Sequence, residues 1–69
     1  MNSDVFKGKW HRLKGEVKSQ WGKLTDDDLD RVEGDAEKLI GRVQERYGYV
    51  RGDAEREVND FIQRHPNVP

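Results

Sequence analysis

The sequence predicts an all-α fold, a small four-helix bundle made of two packed helical hairpins. Three observations favour this fold. Apolar residues recur at helical spacing, no segment alternates as a half-buried strand would, and the sequence matches itself after a shift of 26 residues. A chain of 69 residues has room for one small domain, and we assign residues 1–69 to it.

The repeat relates the two halves of the chain without a gap. Gly8, Leu13, Gly15, Val17, Gly22, Asp27 and Val32 align with Gly34, Leu39, Gly41, Val43, Gly48, Asp53 and Val58. Each unit is predicted to form a long helix, a tight turn and a second helix. Because neither hairpin can bury its apolar stripe alone, we expect the two to pack face to face.

The first hairpin is predicted from one apolar stripe and a set of capping residues. The stripe consists of Phe6, Trp10, Leu13, Val17 and Trp21, spaced four, three, four and four residues apart. Gly22 is predicted to end this helix, as glycine often does at a helix C-terminus. Thr25 is predicted to cap the next helix, with Asp28 at the third helical position, and Leu29 and Val32 face inward.

The second hairpin follows the same plan. Its stripes are Ala36, Leu39, Ile40, Val43 and Tyr47, and then Ala54, Val58, Phe61 and Ile62. Gly48 is predicted to end the first of these helices, and Pro66 follows the second. The centre of the core is predicted to be Trp10, Leu13, Val17, Trp21, Leu39, Val43, Tyr47, Val58 and Phe61. The ends, about 1–3 and 66–69, are predicted to be unstructured.

Composition excludes several classes of protein. The chain has no cysteine, which excludes disulfides, thiolate chemistry and zinc sites of the CxxC kind. No apolar run approaches the ~18 residues of a membrane span, and no signal peptide opens the sequence. Charged residues make up 39% of the chain and mean hydropathy is −1.15. We therefore expect a hydrophilic, cytoplasmic protein that makes no use of a membrane.

Charge is segregated although the net charge is only −1. Between Val5 and Leu24 six cations face one acid, whereas between Thr25 and Glu37 one cation faces seven acids. The basic segment predicts either a phosphate-binding face or a helix that pairs with the acidic one. The candidate partner surface comprises Lys7, Lys9, Arg12, Lys14, Gly15, Lys18 and Gly41.

Gly15 and Gly41 belong to this surface because each is predicted in mid-helix, away from the apolar stripe. An exposed glycine there costs about 1 kcal/mol relative to alanine. One interpretation is a smooth face that lets a partner approach closely. The alternatives are a kink, an internal contact or tolerated instability, and they are favoured.

Two further patterns favour structural explanations over metal sites. Asp26, Asp28, Asp30 and Glu37 match positions 1, 3, 5 and 12 of a calcium loop, but Arg31 stands where that loop needs glycine. The acidic run is better explained as a capped helix start. His11 and His65 lack companion ligands and are predicted to be lone surface histidines. We expect no cofactor, no catalytic residue and no enzymatic activity.

Several runs resemble one known family. They are Trp21-Gly22-Lys23-Leu24-Thr25-Asp26-Asp27-Asp28, Lys14-Gly15-Glu16-Val17-Lys18, Glu45-Arg46-Tyr47-Gly48-Tyr49, and Asp53-Ala54-Glu55 followed by Glu57-Val58. Together they resemble the CsbD-like family of small bacterial proteins, from about Trp10 to Phe61. The resemblance implies a compact arrangement of two hairpins and a link to the general stress response. It implies no activity, ligand or site residue.

These observations lead to two hypotheses of function. The first is a non-catalytic stress-associated protein, a hydrophilic protectant that acts through abundance and hydration. The alternative is a small binding module or adaptor for nucleic acid or a protein partner. The sequence names no partner, and it is compatible with a monomer or a weak homodimer.

Overall fold

The computed structural model describes residues 3–64, and their side chains from Phe6 onwards. Within these residues the chain forms five helices and no strand, so the all-α prediction is confirmed. The helices are α1 (Ser3–Gly8), α2 (Trp10–Gln20), α3 (Asp26–Val32), α4 (Ala36–Tyr47) and α5 (Arg51–Arg64). Ser3 begins α1, whereas the rest of the predicted unstructured ends, together with His65, lies outside the described residues.

The segment predicted as one long first helix is divided into α1 and α2. The break falls at Lys9, whose φ of −105° and ψ of 7° depart from helical values. Gly8 precedes it and is the residue type with the greatest backbone freedom. The break leaves Phe6 buried and turns Trp10 edge-on to it, with 5.5 Å between the ring centres.

The predicted cap of α3 is confirmed and is reciprocal. The Asp28 amide donates to Thr25 Oγ1 over 3.1 Å, and the Thr25 amide donates to Asp28 Oδ2 over 3.0 Å. This capping box satisfies two backbone donors that would otherwise lack partners at the helix start. The start of α3 is therefore fixed by local chemistry as well as by packing.

The two predicted C-terminal glycines behave differently. Gly48 ends α4 in the left-handed region, with φ of 71°, as predicted. The prediction for Gly22 is wrong, because α2 ends at Gln20 and its cap is Trp21, with φ of −124°. Trp21 leaves the helix as its side chain enters the core, where it is 1% exposed. Gly22 therefore does not adopt the left-handed backbone conformation.

The core lies between α4 and α5, and residues of α1, α2 and α3 also contribute to it. Its buried residues are Phe6, Leu13, Val17, Trp21, Leu24, Leu29, Val32, Ala36, Leu39, Ile40, Val43, Ala54, Val58 and Phe61. Seven of the nine predicted central residues are among them. Trp10 and Tyr47 are only partly buried and pack against the edge of this cluster, so their assignment to its centre is wrong.

Gly34 lies where the chain crosses the junction of α1 and α2. Its φ is +78°, and a Cβ atom there would lie 2.8 Å from Lys7 Cα and 3.0 Å from Trp10 Cβ. Only glycine fits both the left-handed backbone and this close approach. The sequence assigned Gly34 only to a helix boundary and gave no signal of this contact.

Gly34→Ala is expected to destabilise the protein by at least about 2 kcal/mol, because strain in the left-handed region and a backbone clash add together. Gly48→Ala is the matched control. Gly48 has φ of +71°, but a Cβ atom there would meet nothing within 4 Å, so this variant should lose only about 1 kcal/mol. Urea unfolding of both variants measures the difference. Equal losses would contradict the close contact at Gly34.

Candidate interaction surface

The predicted partner surface is divided between two environments. Lys14 donates to Asp30 over 2.8 Å, and Lys18 donates to Asp26, so both lysines of α2 contact acids of α3. The hydrogen bond to Asp30 raises the pKa of Lys14, and the hydrogen bond to Lys18 lowers the pKa of Asp26. Of the two interpretations of the basic segment, pairing with the acidic helix is therefore confirmed for these two lysines.

The remaining cations of that surface make no ion pair with another described residue. Lys7 and Arg12 are exposed, and Lys9 is half-buried at the junction of α1 and α2. Their charges are thus free to meet an anion in solution or on another molecule. Gly15 lies on the exposed face of α2, whereas Gly41 lies on α4, so the predicted surface spans two helices.

Asp28 joins α3 to α4 through an ion pair between its buried carboxylate and the partly exposed Arg46. Arg46 donates to it twice, from Nε to Oδ2 over 2.8 Å and from Nη2 to Oδ1 over 3.0 Å. Arg42 Nη1 lies 3.9 Å from the same carboxylate. The Asp28 side chain is 2% exposed, and the hydrogen bonds from Arg46 lower its pKa to about 2 despite burial. This aspartate is therefore a structural anion.

The other three acids of the calcium-like pattern each contact a cation. Asp26 contacts Lys18, Asp30 contacts Lys14, and Glu37 on α4 contacts Arg51 of α5. Asp26 and Asp28 both belong to the helical segment of α3, where a calcium loop would need irregular backbone. Within the part of the chain that the structure describes, no three metal-ligating side chains come together.

An aromatic corner lies where α2 and the α4–α5 turn meet, and sequence reasoning missed it. Trp21 donates from Nε1 to Glu57 over 3.0 Å, and the rings of Tyr47 and Tyr49 stack with 5.5 Å between centres. Lys23 lies over the Tyr47 ring, 5.0 Å from its centre. Burial and the neighbouring Glu57 raise the pKa of Tyr49. The Tyr47-Gly48-Tyr49 triplet was the only sequence signal for this corner.

Two of the shallow depressions formed by the described residues share Lys38. The first is lined by two cations, Lys7 and Lys38, and two acids, Glu33 and Asp35, around Gly34. The second encloses about 250 Å³ and is lined by Arg31, Lys38, Gly41, Arg42 and Glu45. The second depression, which we call the Gly41 groove, therefore carries an excess of positive charge, whereas the first is balanced.

The mid-helix glycines have no packing role in the described structure. A Cβ atom at Gly15 or at Gly41 would meet nothing within 4 Å, and neither residue has a positive φ. An internal contact is thus removed from the explanations for these two residues. Close approach of a partner, a kink and tolerated instability remain.

Within residues 3–64, none of the helices has the length and apolar character needed to cross a membrane. This part of the chain is all-helical, and its surface carries many ion pairs and shallow grooves. The fold and the surface together define a small helical protein with a charged surface.

Comparison with known proteins places the chain in a family. The profile of the CsbD-like family matches residues 4–56, and the chain belongs to this family. It is 58% identical over 64 residues to the UPF0337 protein PA4738 of Pseudomonas aeruginosa, covering 93% of this chain and 98% of that protein. The resemblance inferred from the sequence motifs is confirmed, and with it the association with stress-response proteins.

Two other relatives show the same extent of similarity. A UPF0337 protein of Bordetella pertussis is 53% identical over 66 residues, which cover 96% of this chain and all of that protein. The UPF0337 protein YjbJ of Escherichia coli K12 is 52% identical over 65 residues, covering 94% of each chain. The similarity therefore extends across nearly the whole of each protein.

Proposed function

We propose that this protein is a non-catalytic protectant that acts in the cytoplasm during stress. The observation that carries the proposal is the surface, on which exposed charges of both signs are paired across helices. Lys14–Asp30, Lys18–Asp26 and Arg51–Glu37 each join two different helices. Among the described residues, Val50 is the one large hydrophobic residue that is exposed, at 68%.

A surface of this kind supports weak contacts with many molecules. Exposed ion pairs contribute little to stability, about 0–1 kcal/mol each, so they exchange partners readily. Their charges remain hydrated, and few apolar groups are available for aggregation. As water is lost, such a protein would separate other macromolecules through hydration and charge contacts, with no need for a pocket.

Lys7, Lys9 and Arg12, which make no ion pair with another described residue, support the alternative of a binding module. Together with Lys14, Gly15, Lys18 and Gly41, they form the proposed partner surface for nucleic acid or an acidic protein. The ion pairs of Lys14 and Lys18 reduce the charge available on this surface. We therefore place the contribution of the basic segment mainly in Lys7, Lys9 and Arg12, within a protein that is a monomer or a weak homodimer.

The proposed fold beneath this surface is a pair of related hairpins in one domain. In support, α2 and α4 begin at Trp10 and Ala36, which is the 26-residue shift found in the sequence. α3 and α5 begin at Asp26 and Arg51, and the separation of these two starts is one residue less than that shift. In this proposal α1 is an extension of the first hairpin, and α2–α3 and α4–α5 are the two repeated units.

Freeze–thaw of a labile enzyme tests the protectant role. The enzyme is cycled with this protein, or with an equal mass of an ordinary globular protein of neutral net charge, and recovered activity is measured. We expect higher recovery with this protein, and recovery that rises with its concentration, because the effect depends on many weak contacts. Equal recovery in the two samples would contradict the proposal.

A further inference from the structure

The Gly41 groove has the charge and shape to accept an anion. Three of its lining residues are cations, Arg31, Lys38 and Arg42, and one is an acid, Glu45. Lys38 makes no ion pair with another described residue. Gly41 is exposed on the α4 side of the groove, where a Cβ atom would meet nothing within 4 Å. The groove therefore combines excess positive charge with an open helix surface.

The arginines of the groove are available to a ligand at low cost. Arg31 contacts Asp27 over 2.9 Å, but both side chains are mostly exposed. Arg42 contacts the exposed Glu45 carboxylate over 3.4 Å. Its Nη1 also lies 3.9 Å from buried Asp28, which accepts hydrogen bonds from Arg46. Because exposed pairs contribute about 0–1 kcal/mol, a stronger anion can replace the Asp27 and Glu45 carboxylates. The geometry of each guanidinium suits two-point contact with a phosphate.

We infer that the Gly41 groove binds the phosphate group of a phosphate ester. Lys38 supplies a point charge, Arg31 and Arg42 supply planar donors, and Gly41 lets the ligand lie directly against α4. Among the lining residues, three cations against one acid favour a phosphate dianion over a single carboxylate. The neighbouring depression around Gly34 shares Lys38 but adds Glu33 and Asp35, so its balanced charge does not favour an anion.

This inference goes beyond the protectant role and does not depend on it. It also differs from the basic segment of α1 and α2, because its cations come from α3 and α4. It explains why a glycine stands in the middle of α4 at position 41, which internal packing does not explain. The ligand's phosphate has two sources, a small phosphate compound or the backbone of a nucleic acid strand, and the experiment below separates them.

Titration of the ¹⁵N-labelled protein with inorganic pyrophosphate, and separately with a short single-stranded oligonucleotide, tests the inference by NMR. We expect saturable shifts of the Gly41 and Lys38 amides and none at Gly52, an exposed residue of α5 outside both surfaces. Shifts with pyrophosphate alone assign the groove to small phosphate compounds, and shifts with both assign it to nucleic acid backbone as well. Unmoved Gly41 and Lys38 amides with both probes would overturn the inference, as would equal shifts with a glutamate-rich peptide.

Three variants locate the binding. Lys38→Gln should weaken pyrophosphate binding about tenfold, the usual effect of losing one charged hydrogen bond. Gly41→Ala should weaken it several-fold while making the protein more stable, because alanine favours the helix and its methyl group meets no neighbour. Gly52→Ala is the matched control, because Gly52 is an exposed helical glycine of α5 whose Cβ atom would meet nothing within 4 Å, and it lies outside both surfaces. This variant should leave binding unchanged. If Gly41→Ala bound pyrophosphate like the parent, the groove would not be the site.

Discussion

Phe61→Ala is expected to remove most of the stability of this protein. Phe61 is 1% exposed, and its ring lies 5.2 Å from that of Trp21, centre to centre. Truncating a buried phenylalanine costs about 3–5 kcal/mol. A domain of this size without disulfides or metals rarely has more than about 3–5 kcal/mol to lose. Loss of helical signal at ambient temperature, followed by circular dichroism, is the expected result.

Two further variants keep this prediction measurable if Phe61→Ala does not fold. Phe61→Leu keeps most of the buried volume and should lose about 1–2 kcal/mol. Ile62→Ala changes the adjacent but only partly buried residue and should lose less than Phe61→Ala. If Phe61→Ala unfolded in urea at the same concentration as the parent, the packing of α5 onto Trp21 would be wrong.

Asp28→Asn is expected to cost about 2–3 kcal/mol, because it removes the buried carboxylate that accepts two hydrogen bonds from Arg46. The loss stays below that of a fully buried ion pair, since the Arg46 side chain is 39% exposed and can be hydrated. Asp27→Asn is the matched control. Asp27 is 73% exposed in its pair with Arg31, so its loss should stay below about 1 kcal/mol.

Asp28 also predicts how stability depends on pH. Its pKa is about 2 in the folded protein, below the ordinary value of 3.8. Stability from this carboxylate is therefore present above about pH 4 and is lost as pH falls towards 2, with a total of about 2 kcal/mol. In Asp28→Asn this part of the acid dependence should be missing. An unchanged slope between pH 5 and pH 2 would contradict the role of the Asp28–Arg46 pair.

Local sequence signals predicted the parts of the fold that local chemistry determines. The Thr25–Asp28 cap and the left-handed Gly48 depend on neighbours in the chain, and both are confirmed. Gly22 offers the same signal as Gly48, yet Trp21 entering the core decides the end of α2. Trp10 lies on the apolar stripe, but the break at Lys9 moves it to the core edge.

Features that join distant segments could not be predicted from spacing. Asp28 and Arg46 are 18 residues apart, and only the packing of α3 on α4 brings them together. Gly34 has no room for a side chain because Lys7 and Trp10 lie against it. The basic segment left two alternatives open, and the positions of Asp26 and Asp30 beside α2 decide in favour of pairing for Lys18 and Lys14.

A scan of single exposed charges in the freeze–thaw assay tests the central claim most directly, namely that the surface acts as a whole. The variants are Lys7→Gln, Lys9→Gln, Arg12→Gln and Lys38→Gln, each first shown to fold like the parent. We predict that every variant protects the enzyme as well as the parent at equal mass, including Lys38→Gln, in which pyrophosphate binding is weakened. A single substitution that abolished protection would contradict the account and point to a specific partner at that residue.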